Sequence, residues 1–419
     1  MSNPERLSVL YVSQMPASPP RFGAQARIHG LMTQLAERHD LTAVMLVDDE
    51  FDEDESRKAM QAYCREVVLV PNPHSHEGPT KRMEQLQSLV STRSFERLRA
   101  TVPALQSALD RVLRAKRFDI VNLEFSFLGH CNLRQAPAGE RLPALVVDSH
   151  NIDFELARQY ARSGSSLIRR LYAGVNWRKL RREELGTYRD ADGVYLCSAA
   201  DERRVLADVP DANTTVIPNA ADVDYYQPRP TDPPSDGRTL LFFGLLSYIP
   251  NVDGVLHFVE NIWPLIAKAH PDARLKIVGK NPPPQLKALA GPRIEFTGFV
   301  PDLRPHLASA AVVIVPLRLG GGTRLKIVEG MAMGKAIVST ELGAEGIEAQ
   351  PGRDLLIEDE PQAFADAVGR LLSDPGLAAR IGEAARKLAV QRYSWASAAQ
   401  KLEGFYRQIL DDGLRGNRP

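Results

Sequence analysis

Short apolar runs rich in β-branched residues alternate along this chain with longer stretches whose apolar positions recur at helical spacing. In the first half, "LSVLYVS" from Leu7, "LTAVMLV" from Leu41, "VVLVP" from Val67, "DIVNLEF" from Asp119, "ALVVDSH" from Ala144 and "GVYLCS" from Gly193 predict strands. A helix is predicted near Ala26–Arg38, after a polar loop. The second half repeats the scheme with "TLLFFG" from Thr239, "RLKIVG" from Arg274, "IEFTGF" from Ile294, "AVVIVPL" from Ala311 and "KAIVST" from Lys335. Nearly continuous apolar strands with helices between them imply parallel sheets covered on both faces. The expected architecture is therefore α/β, with two doubly wound domains facing across a cleft and ligands beyond the carboxyl ends of the strands. The Pro-rich stretch "YYQPRPTDPPSDGRT" from Tyr225 is the predicted linker, and the region from Phe364 onward is predicted to be helical.

A length of 419 residues agrees with two cores rather than one. Lys+Arg and Asp+Glu both number 52, so no net field draws the chain to nucleic acid or acidic membrane, and no segment has the form of a nucleic-acid-reading module. Cys64, Cys131 and Cys197 are far apart and lack metal-ligand spacing, which suits a reducing compartment. No apolar run approaches the roughly 18 residues of a membrane span, and the first residues lack a signal-peptide core. A cytoplasmic protein is the expectation.

One stretch carries chemistry. In "VPLRLGGGTRLKIVEGMAMGKAIVST", from Val315, a strand is followed by Gly320, Gly321 and Gly322, then Thr323, Arg324 and Lys326, then a helical run with Glu329. Bare glycine backbone lets N–H groups approach a ligand, and a helix beginning near Thr323 aims its positive end at the same place. Arg324 and Lys326 add positive charge, and the Glu329 carboxylate suits vicinal hydroxyls, as in ribose recognition. Phosphate with ribose means a nucleotide; the alternative is a glycine-rich turn before a core-facing helix. Walker spacing is absent, and no GxGxxG follows a first strand.

With these residues in view, the chain resembles the GT-B retaining glycosyltransferases of family 4, most of all the branch acting in bacterial exopolysaccharide and capsule assembly. The resemblance runs through "VIPNAADVDYYQP", "LLFFGLLSYIPNVDGV", "LKIVGKNPP", the stretch from Ile294 to Ile347, and "GRDLLIEDEPQAFADAV", with a looser match at the first loop and "VVDSHNIDFE". It implies two Rossmann-like domains. Residues 1–215 would form the acceptor side, with the C-terminal helix 396–419 packing back on it, and residues 216–395 the nucleotide-sugar donor side. It implies Gly23, Gly244, Gly320, Gly321, Gly322, Thr323 and Glu329 at the donor, and His150, Arg324 and Lys326 as catalytic groups. The sequence departs from the family pattern at Gly321, where many members carry a glutamate. It departs again at Leu245 and Asp253, where an Arg and a Lys often stand. Arg324 and Lys326 would then be the cations facing the diphosphate.

Such a site cleaves a sugar–diphosphate bond by stabilising charge on the departing phosphate, and with Arg and Lys present it requires no metal and no cofactor. The acidic run "DDEFDEDE" near Asp48, and Asp190 with Asp192, are read as solvated or capping residues rather than metal ligands. On the acceptor side, Arg27 and Glu124 are candidates, the former alternatively a first-turn surface residue, and Asp148 is a candidate to orient His150. The basic run "SLIRRLYAGVNWRKLRREELGTY" from Ser166 is read as a long helix on the core, with peripheral contact at the inner membrane face as the alternative. The expected partners are a nucleotide-sugar donor and a saccharide or lipid-linked acceptor. A nucleotide-sugar epimerase and a non-catalytic nucleotide-sugar-binding assembly protein are the competing classes.

Overall fold

The computed structural model describes residues 5–74, 79–163 and 167–416. The chain divides into two compact units, one of Met1–Ile217 with Ala399–Pro419, the other of Pro218–Ala398.

The first unit is built on a seven-stranded sheet: β1 (Ser8–Ser13), β2 (Asp40–Val47), β3 (Glu66–Pro71), β4 (Ile120–Glu124), β5 (Ala144–Ser149), β6 (Gly193–Leu196) and β7 (Thr214–Val216). Its order is β3-β2-β1-β4-β5-β6-β7, and every pairing is parallel. Strands β1, β2, β4, β5 and β6 are buried almost throughout, as expected of apolar runs covered on both faces, whereas the edge strands β3 and β7 are partly open. The chain winds outward from β1 in both directions. The crevice where the strand order reverses therefore lies between β1 and β4, at their carboxyl ends.

The second unit repeats the plan with β8 (Thr239–Phe243), β9 (Arg274–Val278), β10 (Ile294–Gly298), β11 (Val312–Val315), β12 (Ile337–Ser339) and β13 (Leu356–Ile357). The order is β10-β9-β8-β11-β12-β13, again parallel, with the reversal between β8 and β11. One apolar core joins Leu240, Phe242, Ile277, Ile314, Ile327 and Phe364.

Two expectations need correction. The Pro-rich stretch from Tyr225 lies inside the second unit rather than between units. Tyr226 packs on that unit's core, and Ser235 Oγ donates to the Ala310 carbonyl (3.3 Å). The short strands β7 and β13 were not predicted; at three and two residues they are too short for a periodicity. The helix Trp395–Gly416 buries Leu402, Phe405, Tyr406 and Ile409. A Cβ at Gly193 would stand 2.4 Å from Ile409 Cδ1, so β6 needs glycine where this helix crosses it. Among the described residues no helix is long and apolar enough to cross a membrane.

Candidate active site

At the reversal point of the second unit, Gly244 follows β8 and β11 delivers the chain into the glycine run. Gly320 (φ 121°) and Gly322 (φ 70°) adopt backbone that side chains disfavour, which accounts for glycine at both. The helix that follows is Leu325–Ala332, two residues later than predicted, and the side chain of its N-cap, Arg324, does not bond back to the first turn. Its leading end carries the positive pole of the helix dipole, with the Ile327 N–H turned back to the Arg324 carbonyl (3.0 Å). Thr323 is buried, and its carbonyl accepts from Asn219 Nδ2 (2.7 Å). Arg324, at the N-cap, is 9% exposed; its guanidinium donates to the carbonyls of Gly322 and Leu342 (3.3 Å for the latter).

Lys326 and Glu329 stand three residues apart on the same helix face. Lys326 Nζ donates to Asn251 Oδ1 (2.6 Å) and lies 4.1 Å from the centre of the Phe242 ring. Burial, reinforced by the Arg324 charge and opposed by Glu329, pushes Lys326 down to about 7. Burial likewise raises Glu329 to about 7, against the opposing pull of a hydrogen bond with Tyr226 and the Lys326 charge. Gly244 (φ 148°) belongs to this cluster, since a Cβ there would come 2.9 Å from Asn251 Nδ2 and 3.3 Å from Lys326 Nζ. Asn251 and Tyr226 went unnoticed in the sequence. Their side chains reach the site only through the fold. Asp253, at the place where the family pattern has a cation, instead receives Arg318 (2.7 and 3.1 Å).

In the first unit, side-chain alternation puts Asn122 and Glu124 on one face of β4, and register sets Asp148 beside Glu124 and Tyr195 beside Asp148. His150 follows directly after β5. Its Nε2 lies 2.7 Å from Glu124 Oε2 and 3.4 Å from Asp148 Oδ2. Burial opposes the charged ring, but Asp148 and Glu124 outweigh it and hold His150 at about 9, so the ring is an imidazolium at neutral pH. Phe125, at a non-glycine φ of 71°, sets its ring 4.2 Å from the imidazole.

Arg27 and Glu124 require correction as acceptor contacts. Arg27 is 1% exposed, neither a surface residue nor open to a ligand. Its Nε and Nη2 donate to Asp148 (2.8–3.0 Å) and its Nη1 to the Ile217 carbonyl (2.9 Å). Glu124 is fully buried; Asn122 Nδ2 donates to its Oε1 (2.8 Å) and the other oxygen meets His150. Behind it, the hydroxyls of Tyr406 (2.7 Å) and Tyr195 (3.2 Å) donate to Asn122 Oδ1. Burial and the Asp148 charge raise Glu124 to about 7, with His150 pulling the other way. Asp148 is held at about 2 against its burial, chiefly by Arg27 and then by His150. Glu124, Asp148 and His150 are close enough to share a cation. Arg27 and the imidazolium already supply two positive charges to the two carboxylates, so the donor set is balanced internally. Gly23 opens the helix Gly23–Ala36 and is exposed there, with no side-chain cap before it.

A cavity of about 230 Å³ opens beside the carboxyl ends of β1, β2 and β3, lined among others by Gln14, Asp48, Phe51, Asn72, Phe95 and Phe127. Phe127 stacks on Phe125 (5.5 Å, 10°), which links this cavity to His150. None of these aromatics was singled out in the sequence. The acidic run near Asp48 contributes an N-cap: Asp52 accepts from the Glu55 N–H (2.8 Å). Asp192 accepts from the Leu145 N–H (2.7 Å) and pairs with Arg134 (3.0 Å). The basic run begins at residue 166, outside the described residues, and its helix is Leu167–Asp190.

Two family models match the chain in tandem: "Glycosyltransferase Family 4" over residues 23–225 and "Glycosyl transferases group 1" over residues 237–374. The phosphatidyl-myo-inositol mannosyltransferase of Mycobacterium tuberculosis is 30% identical over 51% of this chain and 59% of its own length. The chain thus spans under two thirds of that relative. The MMP alpha-(1->4)-mannosyltransferase of Mycolicibacterium hassiacum is 29% identical over 72% of this chain and 73% of its own. Among solved structures, sucrose-phosphate synthase from Thermosynechococcus elongatus superposes with a TM-score of 0.73 at 19% identity, covering 97% of this chain and 100% of that one. Anabaena HepE in complex with UDP does so with a TM-score of 0.67 at 16% identity, covering 96% and 100%. The two parallel-sheet units are the GT-B fold.

Proposed function

We propose that this chain, which carries the two halves of a GT-B glycosyltransferase, moves a sugar from a nucleoside diphosphate-sugar to a hydroxyl of a saccharide or lipid-linked acceptor. The observation that carries the reading is the cluster at the β8–β11 reversal. There Arg324 and Lys326 flank a helix N-terminus beside Gly244 and the Gly320–Gly322 run, and Glu329 with Tyr226 stands one turn on. A diphosphate suits the cations and the helix end, and a ribose suits the carboxylate. HepE has been solved with UDP-glucose, in keeping with such a donor.

Cleavage of the sugar–phosphate bond leaves charge on the diphosphate, where Arg324, Lys326 and backbone N–H groups stabilise it as it develops. With these cations the reaction needs no metal or other cofactor. His150, held as an imidazolium by Glu124 and Asp148, is the group proposed to act on the reacting sugar. The cavity beside β1–β3, with aromatic walls and amide and carboxylate groups, suits the ring faces and hydroxyls of an acceptor sugar. Retention at the anomeric carbon, a role in bacterial surface polysaccharide synthesis and a cytoplasmic location complete the proposal, each resting on the family resemblance.

The test is incubation with a panel of nucleoside diphosphate-sugars, with and without saccharide and lipid-linked acceptors, in the presence of a chelator. Acceptor-dependent nucleotide release with a retained anomeric centre by NMR is expected. An isomerised sugar formed without acceptor, donor binding without turnover, or activity lost to chelator and restored by a divalent ion would each overturn the corresponding part.

A further inference from the structure

Three tyrosine hydroxyls meet in the interior of the first unit. Tyr11 on β1, Tyr195 on β6 and Tyr406 on the helix Trp395–Gly416 are each fully buried. Packing alone asks for no hydroxyl there, since phenylalanine would fill nearly the same volume without taking a polar group out of water. The oxygens converge on one amide. Tyr406 donates to Asn122 Oδ1 at 2.7 Å and Tyr195 donates to it at 3.2 Å, which uses both lone pairs of that oxygen. Tyr11 stands farther off, its hydroxyl 3.4 Å from that of Tyr406, beyond a good O–H···O bond. Burial, with the Glu124 and Asp148 charges, holds all three well above the ordinary value of a phenol, so each keeps its proton.

These hydroxyls decide which way the Asn122 amide points. With Oδ1 held by two donors, Nδ2 faces Glu124 and donates to Oε1 (2.8 Å). The reversed amide would set oxygen against that carboxylate, an arrangement that only a protonated Glu124 could satisfy. A donor at Oε1 favours the ionised carboxylate. It also fixes the carboxylate plane, and the other oxygen then meets His150 Nε2 at 2.7 Å. The two carboxylates that face the ring are thus positioned separately. Asp148 (3.4 Å from the ring) is held by Arg27 of the helix Gly23–Ala36 at 2.8–3.0 Å, and Glu124 is held by Asn122. Asp153, which opens the helix Asp153–Ser163 after β5, also feels the His150 charge.

We propose that Tyr406 is a positioning residue for sugar transfer: acting through Asn122, it sets the Glu124 carboxylate against the His150 ring. The chain runs from Tyr406 to Asn122, from Asn122 to Glu124 and from Glu124 to His150, and its members are at most 7% exposed, so bulk water does not compete for the links. This role presupposes that His150 acts on the reacting sugar, as proposed above. It gives the helix Trp395–Gly416 a task at the reacting centre, 284 positions after Asn122 in the chain, besides covering β6.

The experiment compares the full chain with Tyr406→Phe, which keeps the ring and removes one oxygen. The imidazole nitrogens of isotopically labelled histidine are titrated by NMR, with His150 assigned by the signal lost in His150→Gln, and steady-state kinetics are measured on the same samples. In Tyr406→Phe the His150 ring should lose its proton at a lower pH than in the wild type, because Glu124 is less firmly held beside it. Its kcat should fall by about twofold to tenfold, with KM for the donor changed by less than about twofold. Asn122→Leu should act in the same direction and more strongly, and adding Tyr406→Phe to it should change neither reading further. Tyr11→Phe removes a hydroxyl of equal burial that does not reach Asn122, and should leave both readings at the wild-type value. A His150 titration that Tyr406→Phe leaves unmoved overturns the proposal. So does an equal loss of turnover in Tyr11→Phe, which would make the effect one of packing. His150→Gln tests the underlying reading apart from this one. Wild-type turnover there overturns the role of His150, and with it the role of Tyr406 in transfer, whereas a moved titration would still establish the hydrogen-bond chain.

Discussion

The Lys326 ammonium supports a prediction in which proton and ligand binding are linked. Burial and the Arg324 charge bring Lys326 to about 7, whereas a free lysine sits near 10.4. A diphosphate placed against it favours the charged form, so binding above about pH 7 must take up a proton. Linkage then sets the size of the effect: affinity for a nucleoside diphosphate should fall about tenfold, or about 1.4 kcal/mol, for each pH unit above about 7, until the pH reaches the value Lys326 has in the complex. Glu329 has the opposite sign. Raised to about 7, it loses its carboxylate as pH falls, and with it the acceptor for ribose hydroxyls. Nucleoside diphosphate affinity should therefore peak near neutrality, and a nucleoside without phosphate should show only the acid limb. Titration calorimetry at several pH values, in buffer pairs of different ionisation enthalpy, reads both affinity and proton uptake. Lys326→Arg should remove the alkaline limb. Lys326→Ala should cost about 1.5–3 kcal/mol near neutrality and converge on the wild type at high pH. A wild-type affinity flat from about pH 7 to 9, with no proton uptake, would refute the argument.

Three further outcomes are expected. Arg27→Met should destabilise the fold by about 3–5 kcal/mol in equilibrium denaturation because Asp148 is left charged and buried, and Arg27→Met with Asp148→Leu should recover much of that; a single variant as stable as the wild type would count against it. His150 is raised above its ordinary 6.5, so its stabilising contribution is complete below that value and lost as pH rises through about 9; unfolding measured across this window should show the decline, and His150→Gln should flatten it while lowering turnover more than donor affinity. Gly244→Ala should displace Asn251 and Lys326 and weaken nucleoside diphosphate binding by about 1–3 kcal/mol, and calorimetry showing unchanged affinity would mean the cluster tolerates the methyl group.

How far the sequence can be read depends on the range of the interactions involved. β2 and β4 were legible because both faces are buried and the apolar run is nearly unbroken. Lys326 and Glu329 were legible as neighbours because three residues on a helix bring side chains to one face. Arg27 misled because its partner Asp148 is 121 positions away and meets it only through the adjacency of sheet and helix. Glu124 looked like an open strand-end carboxylate because, although alternation sets Asn122 beside it, nothing local announces His150, 26 positions on, as its other partner. Tyr406, 284 positions from Asn122, lay beyond any local pattern, as did the aromatic walls of the cavity beside β1–β3.

The return of the helix Trp395–Gly416 to the first unit also bears on synthesis. Phe405, Tyr406 and Ile409 cover Gly193 and complete the hydrogen bonds of Asn122, yet they follow the whole second unit in the chain. A ribosome extending the chain at about 5–20 residues per second reaches Ile409 on the order of ten to forty seconds after Ile217. During that interval the unit begun first waits with an uncovered apolar flank while the later unit has every residue it needs. The first unit is the last to be completed, and its nascent form is a natural client for chaperones.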